Sequence, residues 1–452
     1  MECFTVMSDK IEGRIDPSPY HPIRLSTIER IKKSKFELLT LTEVVEFSKK
    51  LVTSKDSNLK YIGLKNIEPN SGFFISSEEE KEIFGTALKF EKGDILFPKL
   101  RPYLNKVYLA EFDGVCSTEF HVLKAKKCNK MYLFCFLNSQ LVVNQTSYLM
   151  TGNTLPRLQK TEVENLLILL PSLSIQNKIV SLMDSAYSSK KSNGSEAVKL
   201  SDSINDYVLD KLGIELPELK EDMAYVVNSN KVKNNRCDAY YFQSKFEEVE
   251  KAVNEGKFEV KELREIIDKL LSGQRPKGGV RQIEDGIPSL GGEHVLSDGN
   301  VKTYDLKFIP EEFHKTQLKS KVMKKDILIV KDGATTGKVG IIPEEYPFEE
   351  ANINEHVFLL RIKTDINPYF IFSFLKSKAG QIQINRDITG GTITGIIRET
   401  TEKIKIPLPP LSVQNKIADE VKKRMQRAEQ LQKEANEELE KAKRDVEKII
   451  LN

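Results

Sequence analysis

Leu170-Pro171-Ser172-Leu173-Ser174-Ile175-Gln176-Asn177-Lys178-Ile179 returns as Leu408-Pro409-Pro410-Leu411-Ser412-Val413-Gln414-Asn415-Lys416-Ile417, and each copy opens a long helical pattern. Proline fixes φ and lacks an N–H, so it suits a helix entrance and stops whatever precedes it. Ser174 and Ser412 are expected as N-caps, because a short hydroxyl can accept from the orphan N–H groups of a first turn. Two long helices entered in the same way constrain the chain to be a duplication.

The rest of the sequence keeps that period, about half the chain. Arg14-Ile15-Asp16 matches Arg236-Cys237-Asp238, and Lys35-Phe36-Glu37-Leu38 matches Lys257-Phe258-Glu259-Val260, both 222 residues apart. Asp94-Ile95-Leu96 falls on Asp326-Ile327-Leu328 at 232, as Lys99 and Lys106 fall on Lys331 and Lys338. Glu119 falls on Glu355 at 236, and Thr151-Gly152 on Thr389-Gly390 at 238, the offset of Gln176 and Gln414. An offset that only grows is what insertions into one of two copies produce; coincidence would scatter it.

Each copy is expected to begin with a mixed helical segment, Ser26 to Lys50 and Gln243 to Leu271. A strand-and-turn region follows, from about Tyr61 to Lys124 and from about Pro288 to Lys363, centred on the apolar runs after Asp94 and Asp326. Short helices come next, Lys130 to Asn138 and Pro368 to Lys376, whose aromatic residues belong in a core. The fold class is therefore α+β, two similar units in tandem, each followed by a long helix.

From Val421, apolar or small residues recur in sevens at Ala428, Ala435, Ala442 and Ile449, with Met425, Leu431, Leu439 and Val446 filling a second seam. That is a coiled-coil pattern of about 40 residues, roughly 60 Å long. The first copy has Ile179, Met183, Ala186, Ala197, Leu200, Ile204 and Val208 in a similar rhythm, but Ser188 to Ser195 interrupts it with a polar stretch containing Gly194. A kink or frayed turn is expected there. Gly213 is a C′ residue in position and Pro217 lies beyond. Two amphipathic helices related by duplication pack most economically as an antiparallel coiled coil. Domain bounds follow as 1–170, a central helix 171–213, a linker and second unit 214–408, and a final helix 409–452.

The 69 Lys and Arg against 66 Asp and Glu give a net charge of +3, so any basic surface has to be local. Cys3, Cys116, Cys128, Cys135 and Cys237 are scattered without a zinc spacing and read as reduced thiols of a cytoplasmic protein. The first fifteen residues lack the apolar core of a secretion signal, and no run approaches a membrane span. Catalytic patterns fail as well. Gly333-Ala334-Thr335-Thr336-Gly337-Lys338-Val339 has one residue too few between its glycines for a phosphate-binding loop, and Val339 cannot hold Mg²⁺. Asn367-Pro368-Tyr369-Phe370 lacks the second proline of an amino-methyltransferase turn, and no Gly-rich cofactor loop precedes it. His21, His121, His294, His314 and His356 are too dispersed for a metal site, and Glu78-Glu79-Glu80 reads as a solvated turn.

What stands out is a basic, hydrogen-bonding loop after each central strand. In the first copy it offers Lys99, Arg101, Tyr103, Asn105 and Lys106; in the second, Lys331, Thr335, Thr336 and Lys338. A second polar patch, Thr151, Asn153, Thr154 and Arg157 with Lys160, recurs as Thr389, Thr392 and Arg398. Lys and Arg neutralise phosphates, and Arg, Asn and Thr also meet base edges in a major groove. These residues are the candidate DNA-binding set.

Gly93-Asp94-Ile95-Leu96-Phe97-Pro98-Lys99-Leu100-Arg101-Pro102-Tyr103, Gly114-Val115-Cys116-Ser117-Thr118-Glu119-Phe120, the Arg-x-Asp near each copy's start and the Leu-Pro-x-Leu-x-x-Gln helix entrance together resemble the specificity subunit of Type I restriction-modification enzymes. The resemblance covers nearly the whole chain. It implies two target-recognition domains, each reading half of a split site in double-stranded DNA, and two helices that act as a ruler and as the docking surface for methyltransferase subunits. On that docking surface it puts Gln176, Ile179, Gln414, Ile417, Met425 and Leu439. It also implies a restriction subunit in the complex, S-adenosylmethionine on the methyltransferase partner, ATP and Mg on the restriction partner, and no cofactor here. Helices of ~60 Å suffice to set two readers about one turn of DNA, ~34 Å, apart. The second copy departs from the pattern by replacing Lys-x-Arg-Pro with Lys331-Asp332-Gly333-Ala334. The rival reading is a stand-alone DNA-binding regulator that oligomerises through the coiled coil; a self-sufficient modification enzyme would need a cofactor core, and a bare scaffold leaves the paired basic loops unexplained.

Overall fold

The computed structural model describes residues 4–5, 11, 15–53, 59–75, 85–152, 154–220, 223–232, 236–280, 283–390 and 394–452. Arg14 of the repeat and the site candidates Asn153 and Thr392 lie outside them. The chain forms two compact units, residues 1–194 with 432–452, and residues 195–431. Both long helices, Leu173–Leu212 and Leu411–Leu451, contribute to both units.

In the first unit the helix Pro22–Lys32 leads into β1 (Glu37–Thr40), a single helical turn and β2 (Val45–Ser48). Then come β3 (Leu51–Thr53), β4 (Tyr61–Ile62), β5 (Thr86–Phe90), β6 (Ile95–Pro98), β7 (Tyr108–Leu109), β8 (Gly114–Ser117), β9 (Phe120–Ala125) and β10 (Leu167–Leu170). The strands pair as β1-β10, β2-β9-β6-β7 and β3-β5-β8-β4, with β4 and β8 parallel. In the second unit β11 (Val260–Glu262), β12 (Ile267–Ser272), β13 (Ile287–Leu290), β14 (Lys307–Ile309), β15 (Ile327–Val330), β16 (Val339–Ile341), β17 (Asn352–Ile353), β18 (Val357–Ile362) and β19 (Lys405–Pro407) pair as β11-β19, β12-β18-β15-β16 and β14-β13-β17, with β13 and β17 parallel. The duplication thus extends to the two-stranded pair and the four-stranded sheet built on the central strand, while the remaining sheets differ in strand number and order.

The central strands are apolar throughout because both of their faces are covered. Alternate side chains of a strand point to opposite faces. Ile95 and Phe97 enter a core with the aromatic helix Lys130–Leu137, while Leu96 enters a second core with Phe90, Tyr108 and Phe120. Ile327 and Ile329 likewise join Phe370, Phe372 and Phe374 of the helix Pro368–Lys376, and Leu328 and Val330 turn the other way.

The expected mixed helical segments are each a helix, a strand, one helical turn and another strand: Pro22–Lys32 to β2, and Ser244–Asn254 to β12. Pairing with a distant partner overrides local propensity here, as Leu39 lies opposite Ile168 and Lys261 opposite Ile406.

The long helices begin at Leu173 and Leu411, so Ser174 and Ser412 sit inside the first turn rather than at the caps. The first carbonyls to accept are Ser172 O, from Gln176 N–H at 2.9 Å, and Pro410 O, from Val413 N–H at 2.8 Å. Leu173–Leu212 runs unbroken through the polar stretch where a kink was expected. One glycine costs a helix only about 1 kcal/mol, and Lys190 reaches Asn436 at 3.0 Å and Glu68 across the same unit. Gly213 ends the helix at φ 65°, and Ile214 N–H reaches back to Leu209 O at 2.9 Å.

Within each unit the two helices pack antiparallel. Ile179, Met183 and Ala186 bury against Leu439, Ala442, Val446 and Ile450 in the first. In the second, Ala197 meets Ala428 and Leu431, and Arg424 Nη1 donates to Ser203 O at 2.8 Å. Small residues at the seam permit close approach. Among the described residues, no helix is long and apolar enough to cross a membrane, and no cluster of three His, Cys, Asp or Glu is placed to hold a metal.

Candidate nucleic-acid interface

The two polar patches of each copy, about fifty residues apart in sequence, are one structure. Arg101 N–H donates to Pro156 O at 2.9 Å and Leu158 N–H to Lys99 O at 2.9 Å, which binds the loop after β6 to the turn at Thr151–Arg157. Thr151 and Arg157 close that turn with mutual backbone bonds of 2.9 Å. In the second copy Gly333 N–H donates to Thr394 O at 3.0 Å and Ile396 N–H to Lys331 O at 2.8 Å, while Thr389 and Gly395 close the turn.

The loops share an unusual backbone. Arg101 and Asn105 have φ of 49° and 48°, and their counterparts 232 residues on, Gly333 and Gly337, have φ of 103° and 87°. Positive φ is easy for glycine, accessible to asparagine and unfavourable for arginine. Asn105 serves this turn: it is buried, and its Nδ2 donates to Asn138 O at 3.0 Å. Its side chain is therefore committed to the scaffold of the loop. Thr336 is also turned inward, its hydroxyl donating to Gly333 O at 2.7 Å.

The candidate cations divide into held and free. Lys99 Nζ donates to Thr118 O at 2.6 Å, Lys106 Nζ to Leu64 O at 2.8 Å and Lys331 Nζ to Glu355 O at 3.2 Å. Burial lowers the pKa values of Lys99 and Lys106 below the ordinary lysine value. Arg157 makes a bidentate pair with Glu119, both contacts 2.9 Å, and Arg398 bonds Glu402 at 2.7 Å. Arg101, exposed at the loop corner, and Lys338 have no side-chain partner among the described residues. Tyr103, Thr154 and Thr389 are exposed beside them, Thr335 is half-buried, and Thr151 Oγ1 accepts from Gln159 Nε2 at 2.9 Å.

Residues 33–199 and 255–441 each match the family described as the Type I restriction modification DNA specificity domain. The chain belongs to that family. Among its curated relatives, the Type I restriction enzyme EcoDI specificity subunit of Escherichia coli is 29% identical over 92 residues, 20% of this chain and 20% of that protein. The EcoBI specificity subunit of Escherichia coli is 27% identical over 198 residues, 41% of this chain and 39% of that protein. The aligned stretches thus span well under two thirds of these relatives. A solved Type-I restriction-modification system S subunit from M. genitalium is 15% identical and covers 92% of this chain and 96% of that one, with a TM-score of 0.45.

Each specificity-domain match takes in one complete loop pair. Beside these loops lie groups the sequence patterns did not reveal. Strand register places Glu119 on His356, not on Glu355: Pro98 lies opposite Phe120, and Val330 opposite Val357. Lys99 N–H accordingly donates to Glu119 O and Lys331 N–H to His356 O, both at 2.8 Å. Where the first specificity domain sets the Glu119 carboxylate against Arg157, the second sets the His356 ring against Asp332. Arg275 adjoins that pair through Glu355. An insertion between β16 and β18 hid the true register, and Arg275 lies in a Gly- and Pro-containing stretch with no motif to mark it.

The helix-entrance residues expected to face a partner face inward. Gln176 and Gln414 are 2% and 3% exposed. Gln176 Nε2 donates to Pro171 O at 2.8 Å while its Oε1 accepts from Asn129 N–H at 2.9 Å. Gln414 repeats this with Pro409 O at 2.8 Å and Asn367 N–H at 2.9 Å. An amide is required because one end must donate and the other accept. Ile179, Ile417 and Leu439 are buried in the helix pair, and Met425 is partly buried against it.

Proposed function

We propose that this chain is the DNA-recognition subunit of a Type I restriction-modification complex, directing methyltransferase and restriction subunits to a bipartite site in double-stranded DNA. The observation that carries this is the repeated loop pair: one backbone scaffold, built twice, presents different side chains at the same corner. A duplicated frame with divergent tips suits the reading of two different half-sequences. The functional segments are a first target-recognition domain at 1–170, a spacer helix at 171–213, a linker and second domain at 214–408, and a spacer helix at 409–452.

The interface comprises Lys99, Arg101, Tyr103, Lys106, Thr151, Asn153, Thr154 and Arg157 in the first domain, and Lys331, Thr335, Lys338, Thr389, Thr392 and Arg398 in the second. Held lysines still present ammonium charge to phosphate, and Arg101 and Lys338 are free to meet it directly. Gln176, Ile179, Gln414, Ile417, Met425 and Leu439 support partner docking by fixing the helix pair whose outer faces two methyltransferase subunits grip. S-adenosylmethionine belongs to those subunits, ATP and Mg to the restriction subunit, and this chain supplies recognition without chemistry.

Methylated adenines are to be mapped in a host expressing this chain with its methyltransferase. The expected motif has two defined halves around an unspecified spacer. A continuous motif, or methylation independent of this chain, overturns the proposal. Tight binding of one site by the chain alone, without methyltransferase, would instead identify a stand-alone DNA-binding protein.

A further inference from the structure

The two specificity domains share a loop scaffold but not its guanidinium. Arg101 occupies the left-handed corner of the first loop; the same corner of the second is Gly333, which has no side chain. A guanidinium nevertheless stands against the second loop, brought there by another segment. Arg275 lies three residues past the end of β12. Its Nε donates to Glu355, its Nη2 meets His356 Nε2, and His356 Nδ1 meets Asp332. Lys331 Nζ donates to the Glu355 carbonyl, so this chain of contacts returns to the loop itself.

The approach is built into the backbone. A Cβ on Gly273 would lie 1.9 Å from Ile353 O, so only glycine lets the segment press against the turn that carries Glu355 and His356. A guanidinium offers five N–H donors in a rigid fork. Glu355 and His356 engage one edge; among the described residues Nη1 has no partner, and the Arg275 side chain is 44% exposed. A fork clamped on one edge and open on the other is suited to bidentate recognition, whose commonest major-groove target is guanine O6 and N7. A phosphate contact needs only charge.

Taking the DNA-recognition role above as given, we propose that Arg275 is the base-reading guanidinium of the second specificity domain, directed at a guanine and standing in for the side chain that Gly333 lacks.

The full chain, in complex with its methyltransferase, is to be tested on duplexes bearing the mapped site or the same site with either half scrambled. A wild-type complex that does not discriminate among them refutes the recognition role itself, whatever Arg275 does. Given that discrimination, Arg275→Ala is expected to lower the preference for the intact site over one scrambled half by about tenfold or more, leaving the preference over the other half unchanged. Arg275→Lys, which keeps the charge and loses the fork, is expected to lose the same preference. Glu355→Gln, which takes the negative charge out of the clamp and keeps the guanidinium, is expected to weaken it. Retention of both preferences by Arg275→Ala overturns the assignment. So does full function in Arg275→Lys, which would mean a phosphate contact, or an equal loss of both preferences in Arg275→Ala.

Discussion

Replacing Gln176 by alanine separates an internal lock from a partner contact. The side chain is buried and joins Pro171 O to Asn129 N–H, tying the helix entrance to the N-terminus of Lys130–Leu137. Asn129 itself caps that helix through a 2.8 Å bond from Met131 N–H. Truncation leaves one backbone donor and one acceptor without partners; at about 1–3 kcal/mol for each buried unsatisfied group, a loss of about 2–6 kcal/mol is expected. Hydrogen exchange read by mass spectrometry on the full chain provides the assay. Protection of the peptide containing Asn129 should fall by roughly 30-fold or more, since about 1.4 kcal/mol is a factor of ten. The equivalent peptide at Asn367, locked by Gln414, should remain unchanged and serves as the internal control. Unchanged protection at Asn129 combined with lost methyltransferase binding would refute the lock and make Gln176 a direct partner contact.

Leu439→Glu places a carboxylate among Ile179, Met183, Ala442 and Val446, and should cost several kcal/mol and abolish assembly with the methyltransferase. Met425→Glu, at a partly buried position, should do less; the reverse order in a thermal-unfolding and co-purification series would count against the seam described here. Lys338→Ala and Arg101→Ala should each lower the slope of log binding constant against log salt by about one unit if each cation neutralises one phosphate, and an unchanged slope removes that residue from the interface. Burial pushes the His121 imidazole down to about 3, and its Nε2 has no partner among the described residues. Its contribution to stability is complete above the unfolded histidine pKa of about 6.5 and declines as pH falls towards 3, by about 2 kcal/mol between pH 6.5 and 5. His121→Phe should flatten that limb in denaturant titrations, and an identical pH profile would contradict the burial argument.

The duplication, the central strands, the aromatic helices and the antiparallel helix pair were legible in the sequence because each leaves a periodic trace: apolar runs for strands covered on both faces, sevens for the seam. The β1 and β11 strands left none, since Leu39 and Lys261 acquire their conformation from partners more than a hundred residues away. The turns from Ser188 to Ser195, where a kink or frayed turn was expected, stay helical because tertiary contacts at Lys190 and Ala197 outweigh a modest local cost. At the interface, residue type identified the basic loops but could not tell a lysine tied to a carbonyl, such as Lys106, from a free one, such as Lys338. Nor could it show that Asn105 answers to Gly337, an equivalence visible only in the shared left-handed backbone.

The pairing of β1 with β10 sets Glu37 beside Leu170, and that of β11 with β19 sets Val260 beside Pro407. Everything between those strands leaves and rejoins the chain at a single doorway, so a foreign insert ending in two compatible strands would meet the same neighbours as the original. Beyond the doorway such an insert also has to reproduce the surface that the long helices pack on, since Asn129 bonds Gln176 and Glu68 pairs with Lys190.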